Sequence, residues 1–145
     1  NKKNVVIFCS SAQSTKQWPT TDWIKISQYL SSKGFNCQFT WGNPGEQAIC
    51  EKIISLSAGE LLPKMPIDGV ATLISQSYLV IGLDTGLLHL AAALEVPSIA
   101  IFGASDPLKT GPQGNGPIKI CGSKNRFPNV GEVESTITSV IEMIS

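Results

Sequence analysis

The chain has 145 residues, of which 42% are hydrophobic and 15% are charged, and its 11 Lys and Arg residues balance its 11 Asp and Glu residues. This length fits one domain with a sizeable buried core that needs no disulfides. The formal charge of zero argues against a nucleic-acid partner, because phosphate backbones are bound by clustered Lys and Arg. We therefore expect the partner to be a small molecule or a protein.

Strand-like and helix-like segments alternate along the chain. In order, the pattern predicts a strand over residues 5–8, a helix that opens at residues 18–21 and is closed by Gly34, a strand over 35–41 and a helix over about 46–57. After a connector at 61–66 it predicts a helix over 67–76, a strand over 78–83, a helix over 87–94, a strand over 97–102 and a final helix over 132–144. This alternation predicts an α/β fold with a Rossmann-like parallel sheet between layers of helices, in one domain over residues 1–145.

Two features of the composition bear on metals and membranes. The four cysteines are scattered without a CxxC pair and the chain has one histidine, so we expect no zinc site, no metal and free, buried thiols in a reducing, cytosolic setting. The apolar stretch 78–102 is interrupted by Asp84, His89, Glu95 and Pro97, which favours two buried elements around a functional turn over a membrane span.

The loop after the first predicted strand is a run of hydroxyls that ends in a cation. Ser10, Ser11 and Lys16 are side chains that suit the oxygens of a phosphate. The same residues are also compatible with an ordinary solvated loop. Because ligands of parallel sheets bind at the carboxyl ends of the strands, the loop is nevertheless a candidate site.

The loop after the second predicted strand places Glu46 at the start of a helix. A carboxylate there can accept the hydroxyl groups of a ribose, as an acidic residue does in dinucleotide-binding folds. It can equally well only complement the helix dipole. The glycine pattern GxGxxG of a Rossmann dinucleotide site is absent, so the sequence does not indicate a nicotinamide enzyme.

The loop after the long buried strand reads Asp84-Thr85-Gly86-Leu87-Leu88-His89. The amides of a helix that starts here would point at a phosphate or pyrophosphate, and Gly86 would let that ligand approach the backbone. Asp84 suits sugar hydroxyls better than phosphate, and His89 is a candidate second contact. The alternatives are that Asp84 is an ordinary N-cap and that His89 is a packed helical residue.

The tripeptide Asp84-Thr85-Gly86 is also found in the active sites of aspartic proteases. Those proteases are all-β, whereas residues 87–94 are built from strong helix formers. The flanking sequence therefore disfavours the protease. The loop at 103–116, which follows the last core strand, is rich in Gly and Pro and is a candidate to close over the sugar.

Taken together, the loops resemble glycosyltransferase family 9, the ADP-heptose:lipopolysaccharide heptosyltransferases. The resemblance covers nearly the whole chain and is carried by Lys16-Gln17-Trp18-Pro19, Trp41-Gly42 with Glu46, Leu62-Pro63-Lys64-Met65, the run from Val80 through Asp84-Thr85-Gly86 to Leu94, and Phe102-Gly103-Ala104-Ser105-Asp106-Pro107. The Trp-Gly and Leu-Pro-Lys-Met segments look most like those members that add the first heptose to the Kdo of the inner core.

The resemblance implies roles for individual residues toward the donor ADP-heptose. By this likeness, Ser11 and Lys16 contact the phosphates, Glu46 the ribose and the Met65 backbone the adenine. Asp84 is implied to contact heptose hydroxyls, Thr85 and Gly86 the pyrophosphate, with His89 close by. The family pattern has Thr where this chain has Ala12, which weakens one phosphate contact or shifts it to Ser10, and Pro where it has Ala104.

The resemblance also implies an architecture, the GT-B fold of two Rossmann-like domains, of which this chain would be the C-terminal, donor-binding one. The acceptor site for lipid A-Kdo and the catalytic base for inverting transfer would lie in an N-terminal domain that is absent here. We thus expect a monomer that binds ADP or ADP-heptose without a cofactor and without catalysing transfer alone, in the cytoplasm or peripherally on the inner membrane. The alternative is a non-catalytic nucleotide-binding module of the same fold.

Overall fold

Strands and helices alternate through the computed structural model, which describes residues 3–9, 18–42, 44–83, 86–101, 118–122 and 127–144. The strands are β1 (Asn4–Phe8), β2 (Asn36–Phe39), β3 (Glu60–Leu61), β4 (Leu79–Leu83), β5 (Ser98–Ile101) and β6 (Ile118–Cys121). The helices are α1 (Thr20–Ser32), α2 (Pro44–Ser55), α3 (Ile67–Ser75), α4 (Gly86–Ala93) and α5 (Val130–Ile144).

Within the described residues, the six strands are all parallel and lie in the order β3-β2-β1-β4-β5-β6. This is the strand order of the Rossmann fold, in which the chain reverses direction across the sheet between the two central strands. The predicted α/β class with a Rossmann-like parallel sheet is confirmed. Because the strands are parallel, every loop that follows a strand leaves from the same edge of the sheet, which we call the carboxyl edge.

The two edge strands were not predicted from the sequence. β3 has only two residues, which pair with Gln38 and Phe39 of β2. Its first residue precedes the connector predicted at 61–66 and its second begins it. Two residues are too few to show the alternation of apolar and polar side chains that indicates a strand. β6 pairs with β5 through a four-residue segment. The strand predicted at 35–41 is shorter than expected, since its pairing covers Asn36–Phe39.

The helices α2 and α5 begin slightly earlier than the apolar pattern indicates. α2 starts at Pro44, whose fixed φ suits the first helical position and whose missing N–H costs nothing there. Ahead of α5, the Asn129 side chain accepts a hydrogen bond of 2.8 Å from the Glu132 amide. Gly34 closes α1 as predicted, with φ +88°. The N–H of Gly34 donates a hydrogen bond to the Ser31 carbonyl oxygen, and the N–H of the next residue donates one to the Leu30 carbonyl oxygen.

One side of the sheet, the broad face, is covered by α1, α2 and α5. Alternate strand residues such as Ile7, Phe39 and Ile81 point to this side and are fully buried. The helices contribute large side chains as well. Buried helical residues on this face are Trp23, Ile26 and Leu30 from α1, Cys50 and Ile53 from α2, and Val133, Ile137 and Val140 from α5.

The other side, the narrow face, is covered in the described part of the chain by α3 and α4. The intervening strand residues point here and are mostly small: Val6, Val80 and Ala100, with Phe8 as the one ring among them. Their helical and loop partners are Val70, Ile74, Ala91 and Val96. Gly82 lies beside Phe8 in the sheet, and a Cβ at Gly82 would come within 2.9 Å of the Phe8 Cβ, so the glycine makes room for the ring.

Two further sequence expectations concern cysteines and membranes. All four cysteines are free and buried, as predicted. Among the described residues, no helix has both the length and the hydropathy that crossing a membrane requires.

Candidate functional site

The candidate site lies at the carboxyl edge, where the predicted site loops leave the sheet. The loop of Ser10, Ser11 and Lys16 follows β1 and the Asp84 loop follows β4, and these two strands are direct neighbours. The gap between them is the point at which the strand order reverses, which is where ligands bind in open α/β sheets. Glu46 follows β2, the neighbour of β1 on the other side.

The predicted site residues differ in how far the structure describes them. Glu46 and Met65 are described with their side chains, and Gly86 is described as the first residue of α4. His89 lies in the first turn of α4, but its side chain is outside the description. The remaining predicted donor residues, Ser10, Ser11, Lys16, Asp84 and Thr85, lie outside the described residues, as do Ala12, Ala104 and the loop at 103–116.

Glu46 lies in the first turn of α2 and is half-buried. The backbone N–H of Gly42 donates a hydrogen bond of 2.7 Å to Glu46 Oε1. A Cβ at position 42 would meet the same oxygen at 3.3 Å, so a glycine there lets the carboxylate lie close against the loop. The bond from Gly42 orients the Glu46 carboxylate, a group whose oxygens accept hydrogen bonds from hydroxyl donors.

A second hydrogen bond joins the Glu46 loop to the segment that contains Met65. The indole N–H of Trp41, which directly precedes Gly42, donates to the Leu62 carbonyl oxygen over 2.7 Å. Leu62 begins the segment Leu62-Pro63-Lys64-Met65. Two motifs that are about twenty residues apart in sequence are therefore adjacent at the carboxyl edge.

Met65 is half-buried immediately before α3. Its side chain packs on the first turn of that helix, where a Cβ at Gly69 would lie 3.4 Å from the Met65 Cβ. Pro66 caps α3, and its carbonyl oxygen accepts a hydrogen bond from the Val70 amide. Met65 thus packs against the narrow-face cluster, three residues after Leu62, whose carbonyl oxygen accepts the hydrogen bond from the Trp41 indole.

The helix predicted after Asp84-Thr85-Gly86 is present as α4. It begins at Gly86, directly after the buried strand β4, so its N-terminus faces the carboxyl edge. A helix at this place fits an anion site at its N-terminus and does not fit the all-β fold of an aspartic protease. The protease alternative is therefore dropped.

Sequence reasoning missed one pair of side chains at this edge. Cys9 follows β1 and Cys50 lies in α2, and their Sγ atoms are 3.3 Å apart. The hydrogen bond with Cys50 and burial raise the pKa of the Cys9 thiol far above its ordinary value, and the charge of Glu46 acts in the same direction. The thiols are 41 residues apart in sequence, and nothing in the spacing signals their contact.

No metal centre is found in the part of the chain that the structure describes, where no three His, Cys, Asp or Glu side chains cluster as metal ligands would. What the described edge offers is a carboxylate oriented by a backbone amide, a helix N-terminus beside the sheet reversal and a segment ending in Met65. Hydroxyl groups and a negatively charged group are the ligand chemistry that these features suit.

Comparison with known proteins identifies the family. Residues 1–137 match the model of Glycosyltransferase family 9 (heptosyltransferase). The chain is 30% identical over 141 residues to "Lipopolysaccharide heptosyltransferase 1" of Escherichia coli (strain K12), a match that covers 97% of this chain and 43% of that protein. The chain thus spans less than half the length of this curated relative.

Solved structures agree with the sequence match. The structure "E. coli heptosyltransferase WaaC with ADP" superposes with a TM-score of 0.83 at 27% identity, over 99% of this chain and 45% of the other. E. coli ADP-heptose lps heptosyltransferase II shares the fold, with a TM-score of 0.86 at 17% identity over 98% of this chain and 47% of the other. The resemblance inferred from the spaced motifs is confirmed, as is the Rossmann-like fold of part of a heptosyltransferase. The chain belongs to glycosyltransferase family 9, the heptosyltransferases.

Proposed function

We propose that this chain is the donor-binding domain of a heptosyltransferase and that it binds ADP-heptose at the carboxyl edge. The observation that carries the proposal is the orientation of Glu46 by the Gly42 amide, 2.7 Å away, at the carboxyl end of β2, one strand from the reversal of the strand order. A relative that is similar over nearly all of this chain has been solved with ADP, which supports an adenine nucleotide as the ligand.

The nucleoside end of the donor would lie between α2 and the segment before α3. Glu46 accepts the ribose hydroxyls, and the Met65 backbone contacts the adenine. The hydrogen bond from Trp41 to the Leu62 carbonyl oxygen supports this assignment, because it keeps the two segments side by side. A ribose and its base are joined directly, so the groups that bind them must be neighbours.

The diphosphate would lie across the gap between β1 and β4. Ser10, Ser11 and Lys16 contact phosphate oxygens from the loop after β1, while Thr85 and Gly86 contact the pyrophosphate from the start of α4. The amides and dipole of a helix N-terminus favour negative charge, and one Lys adds a cation. The formal charge of zero suits this mode, which needs no basic surface.

The heptose would lie at the outer end of the same gap. Asp84 accepts hydrogen bonds from its hydroxyl groups, and His89 lies close by in α4. An imidazole in the first turn of a helix becomes more favourable when an anion is bound there, which fits a contact to the donor better than a role as base. We expect donor binding to need no added metal.

Transfer itself needs groups that we assign to a separate acceptor domain. In an inverting displacement, a hydroxyl oxygen of the Kdo acceptor bonds to the anomeric carbon, the bond from that carbon to the ADP oxygen breaks, and a base takes the hydroxyl proton. A base and a positioned acceptor supply most of the rate in such a step. We therefore assign no catalytic residue to this chain. We further expect the chain to be a monomer. We expect it to work in the cytoplasm or at the surface of the inner membrane.

Calorimetry with ADP-heptose, ADP and UDP tests the proposal. We expect ADP-heptose and ADP to bind more tightly than UDP, and Lys16→Ala to weaken both adenine nucleotides by about tenfold, since it removes a charge-assisted contact. Lys25→Ala is the matched control, because Lys25 is an exposed lysine of α1 that is not among the proposed donor contacts.

Two results would contradict the proposal. One is UDP binding as tightly as ADP-heptose, which points to the alternative of a general nucleotide-binding module. The other is heptose transfer to a Kdo acceptor by the isolated chain, measured by mass spectrometry of the product. That result would place the catalytic base in these 145 residues.

A further inference from the structure

Two buried thiols at the carboxyl edge have no role in the proposed donor contacts. Cys9 is 1% exposed and Cys50 is 0% exposed, and their Sγ atoms are 3.3 Å apart. Cys9 directly follows β1, whereas Cys50 belongs to α2. The contact thus joins the end of a central strand to the helix that carries Glu46.

Cys50 also contacts the end of the next strand. Its Sγ lies 3.5 Å from the carbonyl oxygen of Thr40, the residue after β2, and the thiol donates toward that oxygen. One side chain of α2 therefore contacts the carboxyl ends of β1 and β2 together. Glu46 lies in the first turn of the same helix, which follows β2.

Four side chains of α2 pack against the core of the broad face, and two of them, Ile49 and Ile54, are only partly buried. The fully buried residues of α2 are Cys50 and Ile53, in a helix of twelve residues. Of these two residues, Cys50 is the nearer to Glu46, four positions along the chain. The side chains of Glu46 and Cys50 therefore lie on the same face of α2, one turn apart. A shift at Cys50 would consequently be passed to the first turn of α2.

The chemistry of the pair fits a neutral packing contact. The hydrogen bond with Cys50 and burial raise the pKa of the Cys9 thiol, and the negative charge of Glu46 raises it further. Both effects disfavour a thiolate at Cys9, so Cys9 is poorly suited to be a nucleophile. A small uncharged sulfur can instead lie close to the Glu46 carboxylate without repelling it.

We propose that the Cys9–Cys50 contact is a positioning contact of the donor site, which fixes the first turn of α2 and thereby sets the preference of Glu46 for a ribose with both hydroxyl groups. This inference rests on the proposed contact between Glu46 and the ribose. It differs from a purely structural role in one measurable respect. Loss of the contact should change discrimination between riboses and not only the overall affinity or stability.

The experiment compares the dissociation constants of ADP and 2′-deoxy-ADP. In the Cys50→Ala chain we expect the preference for ADP over 2′-deoxy-ADP to fall by about threefold to tenfold, the size of one misaligned hydrogen bond. Cys50→Ser keeps a donor for the Thr40 carbonyl oxygen and should restore part of the preference. Ile53→Val, at the other buried anchor of α2, is the matched control and should leave the ratio unchanged.

Each outcome supports or overturns the inference. Equal weakening of both nucleotides by Cys50→Ala, or an equal change of the ratio in Ile53→Val, would leave the thiols as ordinary core residues. Thermal unfolding checks that each variant is folded, and Cys9→Ala, which removes the contact from the other side, replaces Cys50→Ala if that chain does not fold.

Glu46→Ala separates the two proposals. If it leaves the ratio unchanged, the ribose assignment itself fails; if it abolishes the preference while the thiol variants do not change it, only the positioning role fails.

Discussion

The two faces of the sheet are built from alternate residues of the same strands, yet they are packed very differently. The broad face buries tryptophans, phenylalanines and all four thiols beneath α1, α2 and α5, while the described narrow face buries mainly Val and Ala side chains beneath α3 and α4. The described residues of the proposed donor site come from both layers, Glu46 from the broad side and Met65 from the narrow side. The comparison suggests that the broad face supplies most of the stability and that the narrow face lets α4 approach the sheet closely.

The largest effect is expected from truncating the broad face at Trp23. This side chain is fully buried in α1, and its ring lies 5.0 Å from that of Trp18 at an interplanar angle of 89°. Trp23→Ala should lower the free energy of unfolding by about 3–5 kcal/mol, measured by denaturant titration, because it leaves a large cavity.

Trp23→Phe is the control for that substitution. The Trp23 indole N–H has no hydrogen-bond partner in the described structure, so phenylalanine loses volume but no hydrogen bond. It should cost less than half as much as alanine. A Trp23→Ala chain as stable as the parent would mean that the broad face does not carry the stability assigned to it.

A pH effect of intermediate size is expected at Cys37, also on the broad face. Burial raises the pKa of this thiol from 9.0 to about 11. The folded state favours the neutral thiol, so this stability is fully present below pH 9 and is lost as the pH rises to 11, by about 2–3 kcal/mol.

Unfolding titrations of the parent chain and of Cys37→Ala between pH 8 and about 11 would measure this loss. The other groups titrate in both chains, so the difference in slope isolates Cys37. The parent should lose stability more steeply over this interval. Parallel curves would contradict the account, because they would mean that the thiol titrates alike in the folded and unfolded states.

A smaller effect is expected on the narrow face at Gly82. A methyl group there would come within 2.9 Å of the Phe8 Cβ, so Gly82→Ala must displace the ring or the strand. We expect a loss of about 1–3 kcal/mol in the free energy of unfolding, the usual cost of overpacking. Combining it with Phe8→Leu should recover part of that loss in a double-mutant cycle, and strictly additive costs would show that the two residues do not clash.

The sequence predicted the long buried elements well because their signals are local. The apolar run before Asp84 and the Ala and Leu residues after it predict β4 and α4, and both are present. The Gly34 helix end is likewise a local signal. β3 and β6 were missed because their formation depends on pairing with β2 and β5, which no short window of sequence contains.

The candidate site was predictable residue by residue but not as an arrangement. Glu46 is visible as an acidic residue at a helix start, and Met65 follows from the family resemblance. What the sequence does not contain is the Gly42 bond that orients Glu46, the Trp41 bond that joins its loop to Leu62, or the Cys9–Cys50 contact. These contacts depend on which strands are neighbours and on how far each helix sits from the sheet.

The affinity of ADP for two variants of α2 tests the central claim most directly. Glu46→Ala removes the proposed ribose acceptor, and Glu51→Ala removes an exposed carboxylate from the same helix. By calorimetry, Glu46→Ala should weaken ADP about tenfold or more, while Glu51→Ala should bind ADP like the parent chain. Equal ADP affinities in the parent and both variants would contradict a donor site at the carboxyl edge built around Glu46.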